Sequence, residues 1–240
     1  MNLNEHVLYS EIANTYKKLV RKFWGIINPS NIDMEDTEMA DFFTVLEERT
    51  STRAYNPEKE ITKEELTELL NAAGKAPSAW NLQHWKFLVF HGKDVQQRLL
   101  SIAYGQQQVV DASAVIAVLG DLEADQNVED VFGPLVKEGY MTQEAFDRLA
   151  QNVVSAHNNA QYSRDAAVCN ASLAAMQFML AAKAKGWDTC PIGGYNAKAL
   201  VEEFQVSERY LPIMLITLGE ASVKGHPSSR MDISRTTEWM

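Results

Sequence analysis

The succession of apolar segments predicts an α+β fold, on three observations. Helical patterns outnumber strand patterns, the two do not alternate in the manner of a doubly wound sheet, and no Gly-x-Gly-x-x-Gly follows a strand pattern. The 240 residues are 46% hydrophobic and 22% charged, which suits one large domain with an extension and a substantial core.

Taken in order, Glu5 to Ile27 places Leu8, Ile12, Leu19, Val20, Phe23 and Ile27 at helical spacing, with Lys17, Lys18, Arg21 and Lys22 on the polar side. A membrane-surface helix would look similar, but Glu5 and Glu11 dilute the basic face. Asn4 and Asn28-Pro29 cap and end the segment in the ordinary way, so it is expected to pack against the body or a partner subunit. Asn28 to Asp36 reads as a linker. Residues 1–37 are therefore an N-terminal helical extension and linker, and 38–240 the domain proper.

Met39 to Glu48 is a short amphipathic helix. Thr62 and Glu65 form a capping box that opens a helix ending near Gly74. Trp85 to His91 alternates as a strand, Lys93 to Ala103 is a helix, and Ala114 to Gly120 is apolar throughout, as a buried strand should be. An acidic helical insertion spans 121–162, broken at Gly133-Pro134 and at Gly139. Ser163 to Lys185 is a long, alanine-rich helix ended by Gly186, whose small side chains suit the centre of the core or a dimer interface. A helix over Asn196 to Phe204 and a strand over Leu211 to Leu218 complete the pattern before a polar tail from Gly225.

A net charge of -10 argues against nucleic acid as a partner. Two cysteines and no leader pattern suit a reducing cytoplasm and exclude a disulfide framework. The histidines show no metal-ligand spacing. The uncharged run 166–182 is short for a bilayer and carries Asn170, Ser172 and Gln177, so it reads as a buried helix with no membrane role.

Three motifs remain for chemistry. Arg49-Thr50-Ser51-Thr52-Arg53 puts two guanidinium forks and several hydroxyls within five residues, a donor set for an anion, though also the makings of a charged helix end and a turn. In Ala76 to Trp85, Pro77 fixes the backbone while Ser78, Asn81 and Gln83 offer hydroxyl and amide groups that could orient a heterocycle or simply cap a turn. Cys190-Pro191-Ile192-Gly193-Gly194 lets backbone amides approach a flat ligand, or is a plain turn. Cys190 has no basic partner in the pattern and reads as a packed thiol rather than a nucleophile.

Together the motifs resemble the nitroreductase family of FMN-dependent enzymes, in particular its bacterial NAD(P)H nitroreductases, over about Met39 to Trp239. The resemblance implies a mainly antiparallel sheet flanked by helices, a homodimer, and hydride transfer from NADH or NADPH to FMN with onward transfer to a nitroaromatic, quinone or related small-molecule acceptor. By position, it places Arg49, Thr50 and Ser51 at the flavin phosphate and ribityl chain and Arg53 near the pyrimidine edge. Pro77, Ser78, Asn81 and Gln83 would border the cofactor, in part across the dimer. Pro191, Ile192, Gly193 and Gly194 would lie along the ring system, with the Gly193 amide at N5, and Arg230 would reach the phosphate from the tail. The chemistry is the flavin's, so no catalytic side chain is implied. The insertion is expected over the flavin face, with Phe132, Tyr140 and Phe146 either touching the acceptor or packing a small core of their own. His84 stands where the family usually has proline. A flavin-binding carrier or regulator of the same fold, without reductase turnover, is the other reading.

Overall fold

The computed structural model describes residues 41–240, so the expected helix over 5–27 and the linker over 28–36 lie outside the described residues. Helix α1 (Phe42–Glu48) starts where the Asp41 carboxylate accepts from the Phe43 and Thr44 amides. Helix α2 (Lys63–Ala73) opens with the expected capping box. Thr62 Oγ1 accepts from the Glu65 amide, and the Glu65 carboxylate accepts from the Thr62 amide at 3.0 Å, which holds the Glu65 carboxyl below its usual range.

Strand β1 (Trp85–Phe90), helix α3 (Lys93–Ile102), the single turn α4 (Gln108–Asp111) and strand β2 (Ala114–Asp121) follow. Then come α5 (Val128–Lys137), α6 (Gln143–His157), the long α7 (Ala160–Ala184), strand β3 (Asp188–Ile192), α8 (Ala197–Phe204) and strand β4 (Tyr210–Gly219).

Two features differ from the sequence expectation. Pro134 does not break the insertion: α5 runs through it, because the missing amide of one proline costs one bond in a helix anchored by Val128 in a local core. Strand β3 was not expected, since five residues containing a proline carry too short a pattern. It forms because it pairs with β4, and Pro191 is tolerated because β3 closes the sheet edge.

The strands form one sheet in the order β1-β2-β4-β3, antiparallel throughout. A register shift at Val118/Leu119 falls beside Pro212 of β4, a bulge that absorbs a residue unable to donate. Every residue of β2 is buried, and alternate side chains serve two cores. Ala114, Ile116 and Val118 face α2 and α7, where Leu69, Ala171, Ala175 and Phe178 meet Ile216 and Leu218 of β4. Val115, Ala117 and Leu119 face Leu99 and Ile102 of α3 and Leu200 of α8. The described residues thus form a sheet between two helical layers. Helix α7 is long and apolar enough by length and composition to cross a bilayer, yet it lies on the sheet with nine of its residues buried.

Alanines let α7 approach β2 closely. A Cβ on Gly120 would stand 2.9 Å from the Ala167 carbonyl oxygen. Gly120→Ala is therefore expected to force the helix off the sheet and cost about 1–3 kcal/mol, read as a lower urea midpoint with an unchanged slope.

Candidate functional site

The arginine motif is built onto the sheet edge. Arg49 ends α1, its amide donating to the Val45 carbonyl at 3.0 Å. The chain then runs beside β3: Ser51 bridges Thr189 in parallel, and the Thr52 amide donates to the Thr189 carbonyl at 3.1 Å. Tyr55 locks the segment down, its buried hydroxyl 2.8 Å from Thr217 Oγ1, and burial pushes that phenol's pKa up. The structure thereby brings Arg49, Thr50, Ser51 and Arg53 to the strand that carries Pro191 and Ile192 and leads into Gly193 and Gly194.

The Cys190 thiol marks the junction. Burial raises its pKa, against the opposing influence of Arg53, Ser51, Gln108 and Arg49. All four side chains are therefore near enough to the thiol to act on it. The thiol is buried and held protonated, which agrees with a packing role. Among the described residues neither Arg49 nor Arg53 enters an ion pair, although the chain carries an excess of acid. Thr52 Oγ1, Thr189 Oγ1 and Gln108 Oε1 are buried here without hydrogen-bond partners among the described residues. Gly193 and Gly194 are exposed, and a Cβ on either would meet nothing within 4 Å. Two guanidiniums and several polar atoms without partners among the described residues, beside an open glycine edge, suit a polar, anionic, flat ligand.

Two glutamines join this group that the sequence reading missed. Gln106 Nε2 donates to the Gly194 carbonyl at 2.8 Å, and Gln108 Nε2 donates to Gln106 Oε1 at 3.2 Å. The signal was the run Gln106-Gln107-Gln108 directly ahead of a buried strand, where so many amides need a purpose. The tail returns over the same place: a Cβ on Gly225 would stand 2.6 Å from Thr50 Oγ1, so only glycine fits the crossing. Arg230 lies five residues further along this tail. Its Nη1 donates to Ser228 Oγ at 2.7 Å and to the Ser229 carbonyl at 3.0 Å on the exposed tail.

The second motif forms a strained loop elsewhere. Trp80, Asn81 and Gln83 all have φ near +50°, a region that costs about 1–2 kcal/mol for each such residue. The loop is held by many bonds. The Ala79 amide donates to Asn170 Oδ1 of α7 at 2.9 Å, the Gln83 amide to Ser78 Oγ at 3.0 Å, and Gln83 Nε2 to the Asn81 carbonyl at 2.8 Å. Asn127 Nδ2 donates to the Leu82 carbonyl at 2.9 Å, tying the insertion to the loop. Leu82 packs with Val128 and Val153, and with them pack Phe132 and Phe146. Those two aromatics therefore fill the insertion's own small core, while Tyr140 is exposed.

Within one chain the two groups lie apart along α7, one near its middle and one at its C-terminal end. Asn170 holds the loop, whereas Lys183, 3.6 Å from Glu48 and 3.5 Å from Asp188, marks the arginine end, about 20 Å away along the helix axis. Between them α1 and α7 leave an apolar groove of about 550 Å³, lined by Phe42, Val45, Pro77, Leu173, Met176 and Leu180 among others.

This fold matches known proteins closely. The pattern of the Nitroreductase family matches residues 46–220. The chain belongs to the nitroreductase family. Its relatives include YodC of Bacillus subtilis, described as a candidate NAD(P)H nitroreductase, 49% identical over 84% of this chain and 100% of that one. A candidate nitroreductase of Bacillus subtilis with a solved structure superposes with a TM-score of 0.81 at 37% identity, covering 85% of this chain and 100% of that one. Another from Exiguobacterium sibiricum, solved in complex with FMN, gives a TM-score of 0.78 at 38% identity over 84% of this chain and 98% of that one. The four-stranded antiparallel sheet between helices is the nitroreductase fold expected from the motifs.

Proposed function

We propose that this nitroreductase-family protein is an FMN-dependent oxidoreductase taking electrons from NADH or NADPH and delivering them to a nitroaromatic, quinone or related acceptor in the cytoplasm. The observation that carries the reading is the pair of guanidiniums, Arg49 and Arg53, without an ion pair among the described residues, set beside Ser51 at an open glycine edge. Bound FMN would supply the redox chemistry, as hydride acceptor and electron donor.

The residues have distinct tasks in this reading. Arg49 and Ser51, with Thr50, hold the phosphate and ribityl chain through charge-assisted bonds. Arg53 keeps a positive charge beside the pyrimidine, which favours negative charge there. Gln106 and Gln108 supply amides to the same edge, and Gly193 and Gly194 offer backbone with no side chain between it and a planar ring. Pro77, Ser78, Asn81 and Gln83 border the ring system from a second copy of the chain. Two-fold pairing along α7 is supported by the apolar groove and by exposed Phe42, Leu173 and Met176 on its banks, and by the distance separating the two groups in one chain. Arg230 reaches the phosphate in this scheme from the exposed tail that crosses Thr50 at Gly225. The insertion, through Asn127 and Leu82, supports the loop and roofs the acceptor side.

The test is direct. Purified protein should carry FMN, lose its yellow colour anaerobically on addition of NADH or NADPH, and recover it with a quinone. Colourless protein that refuses added FMN would overturn the proposal; bound flavin that neither nucleotide bleaches would favour a carrier. Arg53→Ala is expected to weaken FMN binding about tenfold to a hundredfold, measured by fluorescence titration of the flavin-free protein.

A further inference from the structure

With Phe132 and Phe146 committed to the insertion's core, the aromatic surface beside the candidate cofactor loop is a different one. Trp80 sits between Ser78 and Asn81 with φ 48° and ψ 23°, a left-handed conformation that a bulky residue rarely takes. It is also 37% exposed, so the indole is not there to fill a core. Its two aromatic neighbours come from either side of the α6–α7 corner. Tyr162 meets it edge-on at 6.1 Å, and His157 is tilted against it at 6.4 Å. Neither ring is stacked parallel to the indole. His157 is fixed in turn by its Nδ1, which donates to the Val153 carbonyl at 2.9 Å, and by parallel stacking on buried His84 at 5.7 Å. Tyr162 stays un-ionised, its hydroxyl pKa raised by burial.

The loop thus spends backbone strain to hold a large π surface in the open. Asn170, Ser78 and Gln83 bind the backbone on both sides of it, so the indole cannot relax inward without breaking those bonds. An apolar side chain facing water gains nothing from such a conformation, whereas a planar guest would be offered a rigid stacking partner at low entropic cost. Among the described residues the indole's ring contacts are the Tyr162 phenol and the His157 imidazole, with no carboxylate or guanidinium among them, which suits a neutral ring over a charged one.

We propose that Trp80, propped by Tyr162 and His157, is the residue that selects neutral planar acceptors, quinones and nitroarenes, by stacking on them. This rests on the oxidoreductase reading above and deepens it by assigning the acceptor class to a residue. Trp80→Leu removes the π face at modest loss of volume, and Trp80→Phe retains one. For Trp80→Leu the ratio of kcat/KM for menadione to that for ferricyanide, an acceptor with no ring to stack, should fall about fivefold to tenfold, through KM rather than kcat. Binding of menadione to the oxidised protein without NAD(P)H, followed by calorimetry, should weaken by a similar factor, and Trp80→Phe should recover most of both. An unchanged ratio, or the same loss in the leucine and phenylalanine variants, overturns the assignment while leaving the oxidoreductase reading intact. Wild-type protein without flavin overturns both.

Discussion

Arg209→Ala is expected to lower the unfolding free energy by about 3–5 kcal/mol, the cost of leaving a buried carboxylate without its counter-charge. Asp121, at the end of β2, has a side chain only 3% exposed. Arg209 grips it with two bonds, Nε to Oδ1 at 2.7 Å and Nη2 to Oδ2 at 2.6 Å, and also donates to Gln126 and Asn127. Removing the guanidinium leaves Asp121 with the Glu123 amide at 3.0 Å and a long contact to Asn127 at 3.4 Å. The consequence reaches the candidate site, because Asn127 is the residue that holds the Leu82 carbonyl of the strained loop. Urea unfolding of Arg209→Ala, Asp121→Leu and the double variant would measure the effect. The double variant should be more stable than Arg209→Ala, since it buries no unpaired charge. If the double variant is as unstable as the single arginine variant, burial of the orphaned carboxylate is not the cause.

Acid should weaken the protein through one histidine. His84 is fully buried, and neither ring nitrogen has a hydrogen-bond partner among the described residues. Burial, reinforced by the stacked His157 and opposed by the nearby Asp121 carboxylate, lowers its pKa to about 4. The unfolded chain takes up this proton below roughly pH 6.5 and the folded chain only near pH 4. Protonation therefore favours unfolding between those values. The contribution is intact above about pH 6.5, is lost as the pH falls, and levels off below about 4, a total of about 3 kcal/mol. In His84→Leu the ring nitrogens are gone, so the variant should match or exceed wild type at pH 7 and gain on it steadily down to pH 4.5. A stability difference that does not change over that range would refute the account. The position matters for function because His84 directly follows Gln83, and its carbonyl accepts from the Asp121 amide at 3.1 Å, so its protonation would disturb the candidate cofactor loop.

Much of the fold was legible because its signals are local. The Thr62–Glu65 box, the alternation in Trp85–Phe90, the unbroken apolar run of β2 and the alanine-rich α7 each announce themselves within a few residues. The arginine motif and the glycine pair were legible as donor sets for the same reason. Gln106 and Gln108 were not, because a glutamine acquires a role only from what folds beside it, here Gly194 and Cys190. The aromatics of the insertion could not be sorted either. Phe132 and Phe146 share a helical spacing with any surface residue until Leu82, distant in the chain, closes their core.

By itself, then, the sequence determined the α+β class, the family and the chemical character of three motifs, since side-chain type and spacing are properties of short segments. Only the tertiary structure decided that Asp188–Ile192 is a strand, that His84 stacks on His157, and that the Ser78 loop and the Arg49 segment stand apart along α7. Those outcomes depend on contacts between residues remote in sequence, whose free energy exists only once the sheet and its two helical layers have closed around one another.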